Sequence, residues 1–380
     1  MPPFSSAVRR LLLSTSLIAA APVAMGLVSP AFAHDHGAPN VVTSIKPIHS
    51  IASAIMKDVG EPVLLLDGAS SPHSYSMRPS EARALNEADL VVYVSHSLEA
   101  FLQKPLASLS GDKHQLELIA LKDLDLHQMR SGGTWEEHSH DHEGHGEHED
   151  HDHEHEEHAH EHDDHADQDE HGHDHEHDHD EHAHEHDDHD HEEHAGHDHE
   201  DHHHAHDGVD SHIWLDPVNG ATIARAISDE LIEIDPEHAD AYRENLKTLL
   251  ASLQSLGDDL SAKIAPIQSK PYVVFHDAYQ YLEARYGLNA VGSITVSPEQ
   301  KPGAKRLHEI EDKIRDTGAV CIFAEPQFRP AIVEAVVSDT GIRGGTLDPL
   351  GANIAAGPDA YQQMLSQNVD ALVDCLGKDS

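Results

Sequence analysis

The chain has 380 residues, room for two domains of ordinary size. Its 24 Lys and Arg stand against 70 Asp and Glu, a formal charge of −46 with His neutral; this excludes nucleic acid as a partner, because phosphate binding needs clustered cations. Residues 136–207 hold 29 of the 40 His and 32 of the acids with no Lys or Arg, and with those acids taken out of −46 the rest of the chain carries about −14, an unexceptional value.

Residues 1–33 read as an export signal: Arg9 and Arg10, an apolar run over 11–28, then Ala31-Phe32-Ala33 as a small-x-small cleavage site. Pro22 and Gly26 break the run, which argues against an uncleaved anchor. No Cys lies near the cleavage site to take a lipid, and no other apolar run is long enough to span a bilayer. An exported protein with neither lipid anchor nor stable membrane insertion is retained only by an outer membrane, so the expected compartment is a Gram-negative periplasm.

From Asn40 onward, short apolar runs alternate with helical stretches. Strands are predicted at 41–45, 62–66, 90–94 and 116–121, with helices over 47–57, from 80, and over 98–109. A helix over 217–234 and a longer one over 236–264 follow, the second with Leu246, Leu249, Leu250, Leu253 and Leu256 on one face. A second series then begins: strands at 272–275, 288–291, 319–324 and 344–347, helices over 276–286, 302–316 and 330–339, and a last helix from 359. Continuous apolar strands alternating with helices indicate parallel sheets covered on both faces. The predicted fold class is therefore α/β: two parallel-sheet lobes, 34–235 and 267–380, joined by a long backbone helix at 236–266. The segment 128–207, where His alternates with Asp or Glu and apolar residues are nearly absent, cannot bury enough surface to order itself. It is expected to be a disordered loop inserted in the first lobe.

Open α/β sheets bind ligands in loops beyond the carboxyl ends of their strands, and four side chains fall there. They are His73 in Ser-Ser-Pro-His-Ser-Tyr, His212 in Ser-His-Ile-Trp-Leu-Asp-Pro, His276 directly after Tyr-Val-Val-Phe, and Asp348 in Thr-Leu-Asp-Pro. Two come from each lobe, and three neutral imidazoles with one carboxylate make a normal tetrahedral Zn²⁺ set. A single His in such a loop is more often a cap or a turn residue, and Asp before Pro also starts turns; the weight lies in three His recurring at equivalent edges. His49, His96, His114, His238 and His308 read as solvated or structural, with His96 the one that also follows a strand. The His tract offers many interchangeable ligands, suited to weak, multiple, fast-exchanging Zn²⁺ binding but unable to select among divalent metals, so selectivity must reside in the ordered site. Cys321 and Cys375 are the only cysteines. In an oxidising compartment they are expected to be bridged, closing a loop whose constraint is worth about 4 kcal/mol.

The stretches SIKPIHSIASAI, DGASSPHSYSMRPSEARAL, ADLVVYVSHSLEAFL, HIWLDP, FHDAYQYLEARYGL, KPGAKRLHEIEDKI, CIFAEPQFRPAIVEAV and GTLDPLGANI together resemble the zinc-type periplasmic binding proteins of bacterial ABC zinc-uptake transporters, over nearly all of the chain outside the signal and the His tract. The resemblance implies two lobes joined by a rigid helix, Zn²⁺ captured between them, and delivery by a monomer to a membrane permease with its cytoplasmic ATPase. It carries the zinc ligands onto His73, His212 and His276, leaves Asp348 or a water as the fourth, and matches Cys321 with Cys375. The manganese branch has a carboxylate where this chain has His276. Some zinc-type relatives have Glu before the first His, where this chain has Pro72. Two other readings remain, a periplasmic metal buffer whose tract is the working part and a zinc hydrolase. The second lacks His-Glu-x-x-His and an evident base.

Overall fold

The structure is a computed structural model that describes residues 37–109, 113–130, 208–295, 298, 302–329 and 331–378. The predicted signal and all of the His tract from residue 131 to 207 lie outside the described residues.

Two four-stranded parallel sheets organise the chain. The first has the order β2-β1-β3-β4, from β1 (Val41–Ile45), β2 (Val63–Leu66), β3 (Leu90–Tyr93) and β4 (His114–Glu117). The second repeats the pattern as β6-β5-β7-β8, from β5 (Tyr272–His276), β6 (Ala290–Thr295), β7 (Cys321–Ala324) and β8 (Arg343–Thr346). Alternation along the strands sorts side chains between cores. Val41, Ile45, Leu90 and Val92 of the first sheet and Tyr272, Val274, Cys321 and Phe323 of the second all enter one shared core. Their neighbours Val42, Val91 and Tyr93 face a separate core under α2 (Pro79–Glu87) and α3 (Gln103–Ser108). On the other lobe, Val273, Phe275 and Ile322 pack beneath α7 (Ala304–Thr317) and α8 (Ala331–Thr340).

The shared core is a helical layer between the sheets: α1 (Lys46–Ile55), α4 (Pro217–Ile234), α5 (Ala239–Ile264) and α9 (Ala360–Leu376). The long predicted helix is α5, preceded by a 3₁₀ turn at Pro236–His238, and it packs against α1, α4 and α9 rather than standing alone as a strut. Cross-links tie the lobes through this layer. The buried Lys46 Nζ donates to the carbonyls of Gly351 and Ile354 at 3.0 and 2.8 Å. Trp214 Nε1 donates to Pro349 O at 2.7 Å, and the Tyr361 hydroxyl donates to Trp214 O at 2.7 Å. Cys321 on β7 is disulfide-bonded to Cys375 on α9.

Several boundaries differ from expectation: the helix predicted over 276–286 begins at Gln280, and the one predicted over 98–109 is a 3₁₀ turn at Ala100–Leu102 followed by α3. β4 occupies His114–Glu117, and the apolar Leu118–Ala120 winds as a 3₁₀ turn. An edge strand tolerates polar residues on its open side. β6 runs over Ala290–Thr295, since Gly292 and the polar Ser293 are buried within the sheet. The His tract does not start at 128: Gln128 pairs with Val209 in an antiparallel bridge, and Met129 N donates to Gly208 O at 2.7 Å. Both roots of the insertion are thus ordered and adjacent.

Candidate metal centre

Each histidine reaches the centre from a different local device. His73 lies in a 3₁₀ turn, Pro72–Ser74, in the loop after β2. His212 precedes the 3₁₀ turn Ile213–Leu215, which runs into α4 through Asp216, an N-cap accepting from Val218 N at 2.8 Å, and Pro217 in the first turn. It therefore follows the antiparallel bridge at Val209 and not a strand of the sheet. His276 is the last residue of β5, a central strand.

The three rings converge. Their centroids lie 5.6 Å (His73–His212), 5.9 Å (His73–His276) and 5.2 Å (His212–His276) apart, and one nitrogen from each lies within 4.8 Å of the others. His212 and His276 are buried and His73 is half-buried. His212 Nε2 and His276 Nε2 stand 3.3 Å apart; a tetrahedral Zn²⁺ with Zn–N bonds of about 2.0–2.1 Å spaces its nitrogens by about 3.3 Å.

Two carboxylates that sequence reading missed set the tautomers. His212 Nδ1 donates to Asp210 Oδ1 at 2.7 Å, and the same oxygen accepts from His212 N at 3.0 Å. His276 Nδ1 donates to the fully buried Glu325 at 2.7 Å. With Nδ1 protonated on both rings, both Nε2 lone pairs face the centre, the arrangement a metal needs. Burial works against charge on His276, but the Glu325 carboxylate outweighs it and raises the ring's pKa. His73 behaves oppositely: burial, with His212 and His276 beside it, depresses its pKa to about 2, so the ring stays a neutral donor. The only linear hints were Asp two residues before His212 and Glu directly past β7.

Asp348 does not join the three rings. Its carboxylate accepts from Leu350 N at 3.1 Å, Ala352 N at 2.6 Å and Gln327 Nε2 at 2.8 Å, which makes it the organiser of its own turn. His96 lies against Tyr93, with ring centroids 5.2 Å apart, and His49, His114, His238 and His308 each have partners of their own away from the centre.

Of two cavities that touch the three rings, the wider is also lined by Met129, Arg130 and Asp277. Arg130, the last described residue before the tract, makes ion pairs with Asp277 and with Glu283, the latter at 2.8 Å. Burial raises Glu283 to about 7 against the pull of Arg130.

Two parallel sheets sharing one helical layer, with imidazoles meeting beyond the ends of their strands, define a two-lobed metal-binding protein. The family model described as zinc-uptake complex component A, periplasmic, matches residues 41–375, and the chain belongs to that family. It is 45% identical over 338 residues to the high-affinity zinc uptake system protein ZnuA of Brucella suis biovar 1, covering 89% of this chain and 92% of that one. To the ZnuA of Yersinia pestis it is 36% identical, with 88% and 91% covered. A zinc-bound ZnuA deletion mutant of known structure superimposes with a TM-score of 0.63 at 20% identity, covering 90% of this chain and all 100% of the other, a likeness of fold. Among the described residues, no helix is long and apolar enough to cross a membrane.

Proposed function

We propose that this protein is the periplasmic receptor of a zinc importer, capturing Zn²⁺ on His73, His212 and His276 and delivering it as a monomer to an ABC permease driven by a cytoplasmic ATPase. The observation that carries this reading is the pair of Nε2 atoms 3.3 Å apart, each turned inward by a carboxylate on its far side. Three neutral nitrogen donors favour Zn²⁺ over harder ions such as Mn²⁺, which prefer oxygen. We read the protein as a receptor and not a hydrolase, because Asp210 and Glu325, the carboxylates that touch the rings, are each engaged on a ring nitrogen and unavailable as a base.

In this reading the lobes divide at 236–266, and the His tract is an auxiliary collector or sensor that feeds the centre or reports its filling. Support for that role lies in the wider cavity, whose lining includes both the tract's root residues Met129 and Arg130 and the three rings.

Titration of the full chain with Zn²⁺ against a chromophoric chelator tests the assignment. One tight equivalent and several weak ones are expected. The His276→Ala variant loses the tight equivalent and keeps the weak ones. A tight equivalent that survives this change contradicts the assignment.

A further inference from the structure

Three histidines leave one position of a tetrahedron open, and the turn at Asp348 bears on what fills it. A carboxylate can only accept hydrogen bonds. The Gln327 side chain must therefore present its nitrogen to Asp348, as it does at 2.8 Å, and this fixes its oxygen on the opposite side. Gln327 lines the small cavity that His73, His212 and His276 also line, and its Oε1 is buried with no hydrogen-bond partner. Ser71 lines the same cavity, and its hydroxyl is in the same condition, as is His73 Nε2. Glu325, engaged by His276 Nδ1, also lines it; the rest of the wall is apolar, from Pro72, Trp214, Phe328, Pro349 and Leu350, and the space admits a single water-sized body.

Buried polar atoms without partners are rare, and three on one small cavity call for a ligand. His73 Nε2 is answered by the metal, on the reading given above. Two buried acceptor oxygens remain on residues that line this cavity, and a metal-bound water has two protons to donate.

We propose that the fourth ligand of the bound Zn²⁺ is a water held by Gln327 Oε1 and Ser71 Oγ, with Gln327 the principal positioning residue. Asp348 then acts one step removed, by orienting the amide. A neutral acceptor leaves the water a water, the member of the shell most readily exchanged, as delivery to a second protein requires. This inference rests on zinc binding by the three histidines.

The test combines a crystal structure of the zinc-loaded full chain, at a resolution that shows waters, with chelator competition on Gln327→Leu. Expected are a zinc-bound oxygen that is not a protein atom, within hydrogen-bond reach of Gln327 Oε1, and a zinc affinity weakened about tenfold in the variant, the worth of one charge-assisted hydrogen bond. Direct ligation by Asp348 or by Gln327, or an unchanged affinity in the variant, overturns the inference and leaves the three-histidine reading standing. Zinc bound away from the three rings fails the underlying function instead.

Discussion

His212 Nε2 faces His276 Nε2 across 3.3 Å, and behind each ring a carboxylate, Asp210 or Glu325, takes the Nδ1 proton at 2.7 Å. Two lone pairs turned toward one point suit a shared cation. Weakening either carboxylate relaxes the ring behind which it sits. Asp210→Asn and Glu325→Gln are each expected to lower zinc affinity roughly 10- to 100-fold with the fold intact. Chelator competition measures this, and affinities equal to wild type would show the carboxylates to be bystanders.

The root of the His tract is anchored by Arg130, whose guanidinium lies between Asp277 and Glu283 in a buried cluster. Arg130→Ala leaves two buried carboxylates without their counter-charge and is expected to cost roughly 3–5 kcal/mol, read from urea unfolding. Excision of residues 131–207 is expected to cost little, because the Gln128↔Val209 bridge already brings the cut ends side by side. Tight zinc binding survives that excision while the weak equivalents vanish. A large loss of stability on excision, with none for Arg130→Ala, would reverse this assignment.

His49 gives the fold a pH dependence separate from the metal centre. Its Nε2 donates to Pro62 O at 3.0 Å, and Nδ1 faces the Ser53 hydroxyl at 3.4 Å, an arrangement that suits the neutral ring. Burial lowers its pKa, against a smaller opposing pull from the Pro62 carbonyl. A depressed folded pKa contributes stability that is fully present above the unfolded value near 6.5 and is lost as pH falls toward the folded one. Urea midpoints at about pH 8 and about pH 5.5 should therefore fall more in wild type than in His49→Gln, whose position no longer titrates. Equal falls would remove His49 from the account.

The Cys321–Cys375 bridge staples β7 to α9 across a sequence separation of 54. Closing a loop of that size constrains the unfolded chain by about 4 kcal/mol. Reduction, or the double change to Ser, should lower the unfolding midpoint by that order and leave zinc affinity unchanged, since neither Cys lines the metal cavity. A loss of affinity equal to the loss of stability would tie the staple to the site.

Much of this architecture was legible in the linear pattern. The runs at Val41–Ile45, Leu90–Tyr93 and Tyr272–His276 are mostly apolar and buried on both faces, as strands of a doubly covered sheet are. His73 and His276 stand out in the sequence because each follows a strand of a sheet, and His212, which follows the bridge at Val209, because of the motif around it; the three rings come together in the fold. Asp348 was ambiguous in the sequence because Asp-Pro after a strand reads alike as ligand and as turn. Only the positions of Leu350 N, Ala352 N and the Gln327 amide decide between them. Asp210, Glu325 and Gln327 were not legible, since their roles depend on which ring each meets and no spacing in the chain encodes that for partners 49 residues apart, as Glu325 and His276 are.

The most direct measurement of the central claim is anomalous diffraction at the zinc edge from crystals of the full chain grown with one equivalent of Zn²⁺. A single strong peak is predicted, bonded to one nitrogen each of His73, His212 and His276 at about 2.0–2.1 Å. A peak elsewhere, or one whose neighbours omit any of these rings, would contradict the account.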